Sequence, residues 1–174
     1  MLLQDFMRWL RWVNSRKTTT TTHVQPTSVE RIDMIKKHEA LRLEAYLPTA
    51  HDVWTIGWGH TATARQGMTI TTPQAEKLLR DDLKWVREVL AKDVKVPLTQ
   101  PQYDALASFV FNLGGANFRS STLLKKLNAK DYTGAADELL KWDKQRQSGK
   151  MVTLRGLTKR RKEERELFLQ GTKA

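Results

Sequence analysis

The chain has 174 residues and carries 30 Lys and Arg against 19 Asp and Glu, a net charge of +11. That length suits one domain with a real core plus an appendage, and the cationic surplus points to an anionic partner: bacterial wall, anionic lipid or nucleic acid. There is no cysteine, which excludes a disulfide framework and a thiolate metal site.

Residues 1–17 read as an amphipathic helix. Leu2, Leu3, Phe6, Trp9, Leu10 and Val13 recur at helical spacing, with Gln4, Asp5, Arg8 and Arg11 between them. Such a helix suits an anionic membrane surface, or packing on the main domain or on a partner. Its charges also break the apolar core that a secretory signal or a membrane span needs. Residues 18–27, with five consecutive threonines, read as a polar linker. The main domain is expected over residues 28–171, followed by a short tail, 172–174.

That domain opens on Thr27-Ser28-Val29-Glu30, the pattern of a helix capping box. Val29, Ile32 and Ile35 mark an apolar stripe, and Glu39 continues it four residues after Ile35. A carboxyl on such a stripe is partly desolvated, which favours its protonated form. After Tyr46, "LPTAHD" reads as a turn, "VWTIGWGHT" as β-like, and "TARQGMTIT" as a further turn and strand. From Thr72, expected as an N-cap with Pro73 at the first helical position, the chain reads as helical to its end. Gly114-Gly115 and Gly171 close two of those helices. The fold class is therefore α+β, a small hairpin lobe beside a larger helical lobe, with a cleft between them. The basic excess concentrates near the end: Lys141 to Ala174 holds eleven Lys or Arg and four Asp or Glu.

Several ordered segments carry a family resemblance. "HEALRLEAY…VWTIGWGHT", "TPQAEKLLRDDL", "QYDALASFVFNLGGANFRSSTLLKKLN" and "GLTKRRKEERELFL" together resemble the phage-type lysozymes, the endolysins of glycoside hydrolase family 24. The resemblance runs from about Ser28 to Gly171. It implies a lysozyme-like fold and cleavage of the β-1,4 bond between N-acetylmuramic acid and N-acetylglucosamine in peptidoglycan. It makes Glu39 the general acid, which protonates the leaving oxygen. Thr55 matches a hairpin threonine that positions the attacking water, and Asn112 a substrate-contacting amide. Arg160 matches most nearly the basic residue that pairs with the catalytic glutamate, with its neighbour Arg161 the alternative. His60 and Asp82 match a structural ion pair between the hairpin lobe and the interlobe helix.

The second carboxylate departs from the family pattern. Counting forward from Glu39 reaches Pro48, and counting back from Thr55 reaches Thr49, because this chain has one extra residue between the two anchors. Asp52 is the nearest acidic candidate, and Glu44 is a weaker one at a non-catalytic family position. In a regular strand Asp52 would face away from Thr55, so it serves only if the longer turn rotates it inward; otherwise it is an Asx-type turn residue. Inverting glycosidases hold their carboxyls about 6.5–9.5 Å apart and retaining ones about 5–5.5 Å. With Glu39 alone, attack by the muramyl hydroxyl would make the chain a lytic transglycosylase. A different class of reading is a non-catalytic cationic protein that binds wall or nucleic acid, although no base-reading motif accompanies the charge. The four histidines form no zinc pattern, so no metal or cofactor is expected. The expected partner is bacterial peptidoglycan, met by a monomer made in the host cytoplasm and acting on the wall in the periplasm. Peripheral contact with membrane or lipopolysaccharide would run through the N-terminal helix and the basic C-terminal region.

Overall fold

The computed structural model describes residues 32–48, 52–147 and 149–172. The amphipathic segment 1–17, the linker 18–27 and the capping box at 27–30 lie outside the described residues.

The described chain runs α1 (Asp33–His38), β1 (Arg42–Tyr46), β2 (Thr55–Gly57), α2 (Thr72–Asp93), α3 (Gln100–Leu113), α4 (Gly115–Ser120), α5 (Thr122–Asn128), α6 (Tyr132–Leu139), β3 (Lys144–Gln147), β4 (Lys150–Thr153) and α7 (Arg155–Gln170). β1 and β2 pair antiparallel, with Arg42 opposite Gly57, Tyr46 opposite Thr55 and an irregularity between. The "MTI" segment adds to the other edge of β1 through a single bridge, Glu44 to Thr69. Backbone bonds from Ala45 N to Met68 O and from Ile70 N to Leu43 O flank it.

The helical lobe is organised around α3. Every residue from Gln102 to Val110 is buried, so this helix is enclosed on all sides rather than striped. Phe109 lies at its centre, with Phe118 and Trp142 edge-on at 6.4 and 5.7 Å between ring centroids. Each fully buried side chain of this size contributes roughly 1.5–3 kcal/mol by leaving water. α2 lays Ala75, Leu79, Leu83, Val86 and Leu90 on the same core at helical spacing. α1 is tied to α2 by an ion pair from Lys36 to Glu76, and the Lys36 ammonium sits 4.8 Å from the centre of the Trp58 ring.

Three local expectations need correction. The N-cap of α2 is Thr71, not Thr72, and Pro73 is the second helical residue. The reason is Gln74: three residues after Thr71, it completes a capping box, its Oε1 accepting from Thr71 N at 2.7 Å. The chain is also not helical throughout after Thr72. β3 and β4 form a second hairpin with Lys144 opposite Thr153 and Gln147 opposite Lys150. Its strands are exposed at every position, so they lack the alternation that marks a half-buried strand. Gly171 does close α7, but in a right-handed conformation with φ of −74°. Glycine is needed there for space: a Cβ would lie 2.0 Å from Thr99 Oγ1.

Candidate active site

Glu39 is the first residue beyond α1. Its backbone is extended, and its N–H still bonds to Ile35 O, so the helix end aims the side chain. The carboxyl is not enclosed: 27% of the side chain is exposed. It stands on the wall of a cleft of about 470 Å³ together with Gly59, Thr61, Ala62, Asp82, Trp85, Phe111 and Asn112. The hairpin lobe supplies residues 59–62, α2 supplies Asp82 and Trp85, and α3 supplies Phe111 and Asn112. Gly59 has φ of +90°, a backbone region in which a side chain is strained.

One side of Glu39 is fixed from α7. Arg160 Nη1 donates to Glu39 Oε1 at 2.6 Å, leaving Oε2 with no partner among the described residues. Arg160 is itself almost fully buried and is clamped on its other nitrogens. Nε donates to Glu164 Oε1 at 3.1 Å, and Nη2 donates to the Ser108 carbonyl and hydroxyl at 3.1 and 3.2 Å. Of the two candidate arginines, Arg160 is thus the one that meets Glu39. Arg161 points elsewhere: its Nη2 donates to Asn112 Oδ1 at 2.9 Å and to Glu164 Oε1 at 3.0 Å. Burial pulls the Arg161 guanidinium down to about 10, with Glu164 opposing that shift. Burial also pushes the Glu164 carboxyl up, against the pull of both arginines and Ser108.

His38, immediately before Glu39, has Nε2 2.9 Å from Glu163 Oε2, and Lys37 Nζ is also 2.9 Å from that oxygen. Burial, reinforced by the Arg160 charge, lowers the His38 imidazole and favours its neutral form, with Glu163 opposing. Glu39 and the two residues before it are therefore all attached to α7.

His60 and Asp82 are in contact, with Nδ1 2.8 Å from Asp82 Oδ1. The Thr63 backbone N–H donates to His60 Nε2 at 3.1 Å. That nitrogen is an acceptor, so the proton sits on Nδ1 and is donated to Asp82. This bond joins the hairpin lobe to α2 beside the cleft.

Two residues expected at the site are placed differently. Thr55 begins β2, is buried, and its hydroxyl donates to Val53 O at 3.1 Å. Asp52 is exposed, at a bend before that strand. Neither belongs to the cleft wall described above. Because β2 starts only at Thr55, regular alternation does not extend back to residue 52. Glu44 lies on β1 and is exposed.

Sequence reasoning missed Trp85, Ser108 and Glu164. Trp85 had a signal. It falls outside the Leu79–Leu83–Val86–Leu90 stripe of α2, so its indole is left 38% exposed on the cleft wall. Ser108 and Glu164 had none, because a Ser in an apolar run and a Glu among charges read as ordinary.

The likeness to known proteins is extensive. The phage lysozyme family matches residues 36–164. The endolysin of Acyrthosiphon pisum secondary endosymbiont phage 1 is 51% identical over 135 residues, covering 78% of this chain and 92% of the relative. The endolysin of Salmonella phage P22 is 43% identical over 143 residues, covering 79% and 94%. Among solved structures, the muramidase domain of SpmX from Asticaccaulis excentricus superposes with a TM-score of 0.76 at 39% identity, over 79% of this chain and 93% of that one. The chain belongs to the phage lysozyme family, as a glycoside hydrolase of the lysozyme type that acts on peptidoglycan.

Proposed function

We propose that the chain is an endolysin whose cleft binds a glycan strand and whose Glu39 is the general acid. The observation that carries this is the carboxyl of Glu39 on the cleft wall, with one oxygen held by Arg160 and the other unpartnered. Glu39 Oε2 gives its proton to the glycosidic oxygen as the bond from that oxygen to the muramyl C1 breaks. Water adds to C1, and its proton passes to a base. The exposed face of Trp85 offers an apolar surface to a sugar ring, and Asn112 offers an amide. Muramidase and lysozyme relatives disfavour the transglycosylase alternative, and family membership disfavours a purely binding protein.

As the base we propose Asp52, exposed at the bend before β2, which serves by a movement of that bend toward Glu39, with Thr55 positioning the water as the family resemblance implies. Asp52→Asn should lower turnover of purified peptidoglycan at least about 100-fold. Turnover within a few fold of wild type would remove Asp52 from the mechanism.

The domain comprises residues 28–171, and the N-terminal segment is a separate element. No helix among the described residues is long and apolar enough to cross a membrane. The Trp/Arg-rich segment 1–17 and the basic C-terminal region provide peripheral contact with anionic lipid, with the protein acting as a monomer. Deleting residues 1–22 should abolish most binding to phosphatidylglycerol vesicles at low salt. Unchanged binding would refute the role of that segment.

A further inference from the structure

Arg161 is fully buried, and among the described residues its hydrogen bonds run to Asn112 and Glu164, with Glu39 held by Arg160 instead. Its Nε and Nη1 have no hydrogen-bond partner among the described residues, so two of its three nitrogens carry a desolvation cost that no hydrogen bond there offsets. Stability alone does not account for it. Its remaining nitrogen joins Glu164 to Asn112. The guanidinium cannot swing away, because it lies 5.0 Å from the Phe109 ring centre and Glu164 anchors it.

A guanidinium has only donors. The Asn112 atom facing it must therefore be the amide oxygen, whichever way an isolated amide would turn. That leaves Nδ2 without an acceptor among the described residues, on a side chain that lines the cleft. We propose that Arg161 is a positioning residue that locks the Asn112 amide with its NH2 group available to the cleft, so that the site selects a substrate oxygen able to accept a hydrogen bond. Among the acceptor-only oxygens of the amino sugars themselves, the acetamido carbonyl is a stronger acceptor than the ring and glycosidic ether oxygens. This selection rests on the reading of the cleft as a glycan site.

Asn112→Asp tests it directly. The aspartate keeps an oxygen for Arg161 but replaces the donor with a second acceptor. On soluble, uncross-linked glycan strands KM should rise roughly tenfold, with kcat within about twofold of wild type. Arg161→Lys cannot reproduce the fixed fork and frees the amide to turn. It should raise KM about fivefold in the wild-type background and not at all in the Asn112→Asp background, since the two act as one unit. An unchanged KM in Asn112→Asp, or additive effects in the double variant, would overturn the proposal. If Arg161→Lys fails to fold, Asn112→Asp decides the donor assignment, and Arg161→Gln, which also lacks the fixed fork, takes the place of Arg161→Lys in both backgrounds. Glu39→Gln run in parallel separates the two readings. Retained lysis there defeats the glycan-site reading, whereas an inactive Glu39→Gln beside an unaffected Asn112→Asp defeats only the donor assignment.

Discussion

Glu39→Gln is expected to cut peptidoglycan turnover at least about 100-fold, and up to about 10,000-fold, with thermal stability near that of wild type. The substitution keeps the shape of the side chain and an oxygen that can still accept from Arg160 Nη1. What it removes is the transferable proton on the other side of the group, which is the only feature the mechanism asks of it. The comparison is clean because Glu39 is partly exposed at a helix end and carries no share of the apolar core. Turbidity clearing of permeabilised Gram-negative cells gives the rate, and circular dichroism confirms the fold. A folded variant that lyses cells at the wild-type rate would end the assignment of Glu39.

Glu164→Gln should have the largest effect on stability. Glu164 has no exposed surface, and its Oε1 accepts from Ser108 Oγ at 2.7 Å, Arg160 Nε at 3.1 Å and Arg161 Nη2 at 3.0 Å. It is the anion between two buried cations. Removing its charge while leaving both guanidiniums in place should cost about 3–5 kcal/mol, lowering Tm on the order of 10 °C for a domain of this size. Activity should fall as well, since Arg160 would lose one of the anchors that present it to Glu39. A Tm within a degree or two of wild type would mean that the cluster is not held by its charge balance.

These two sites also show what the sequence made legible. The spacing from Ile32 and Ile35 singled out Glu39 as a candidate, but α1 ends at His38 and Glu39 is extended, so the helix end and not a helical face places its carboxyl on the cleft wall. The two-lobed plan followed from glycine-rich β-like residues before long helical runs. The role of Arg160 against Arg161 could not be read, because adjacent residues on a helix differ by about 100° in direction, and only the packing of α7 on α3 selects one. The burial of Glu164 was hidden for a related reason. In "TKRRKEERELFL" the buried set Arg160, Arg161, Glu164 and Phe168 is mostly charged, so the face that enters the core looks solvated. Asp52 was obscured by the length of its turn, since an insertion next to a strand breaks the alternation from which side-chain direction is inferred. The β3–β4 hairpin escaped because both its faces are exposed and polarity does not alternate along it. Its one cue was Gly149, which lies between the two strands with φ of +83°.

The most direct test of the central claim is the mass of the products released from purified peptidoglycan. Acid catalysis by Glu39 with water as the nucleophile predicts muropeptides ending in a reducing N-acetylmuramic acid, one water heavier than the cyclised form. Muropeptides ending in 1,6-anhydro-muramic acid would contradict it, because they require the sugar's own hydroxyl to take the place of water.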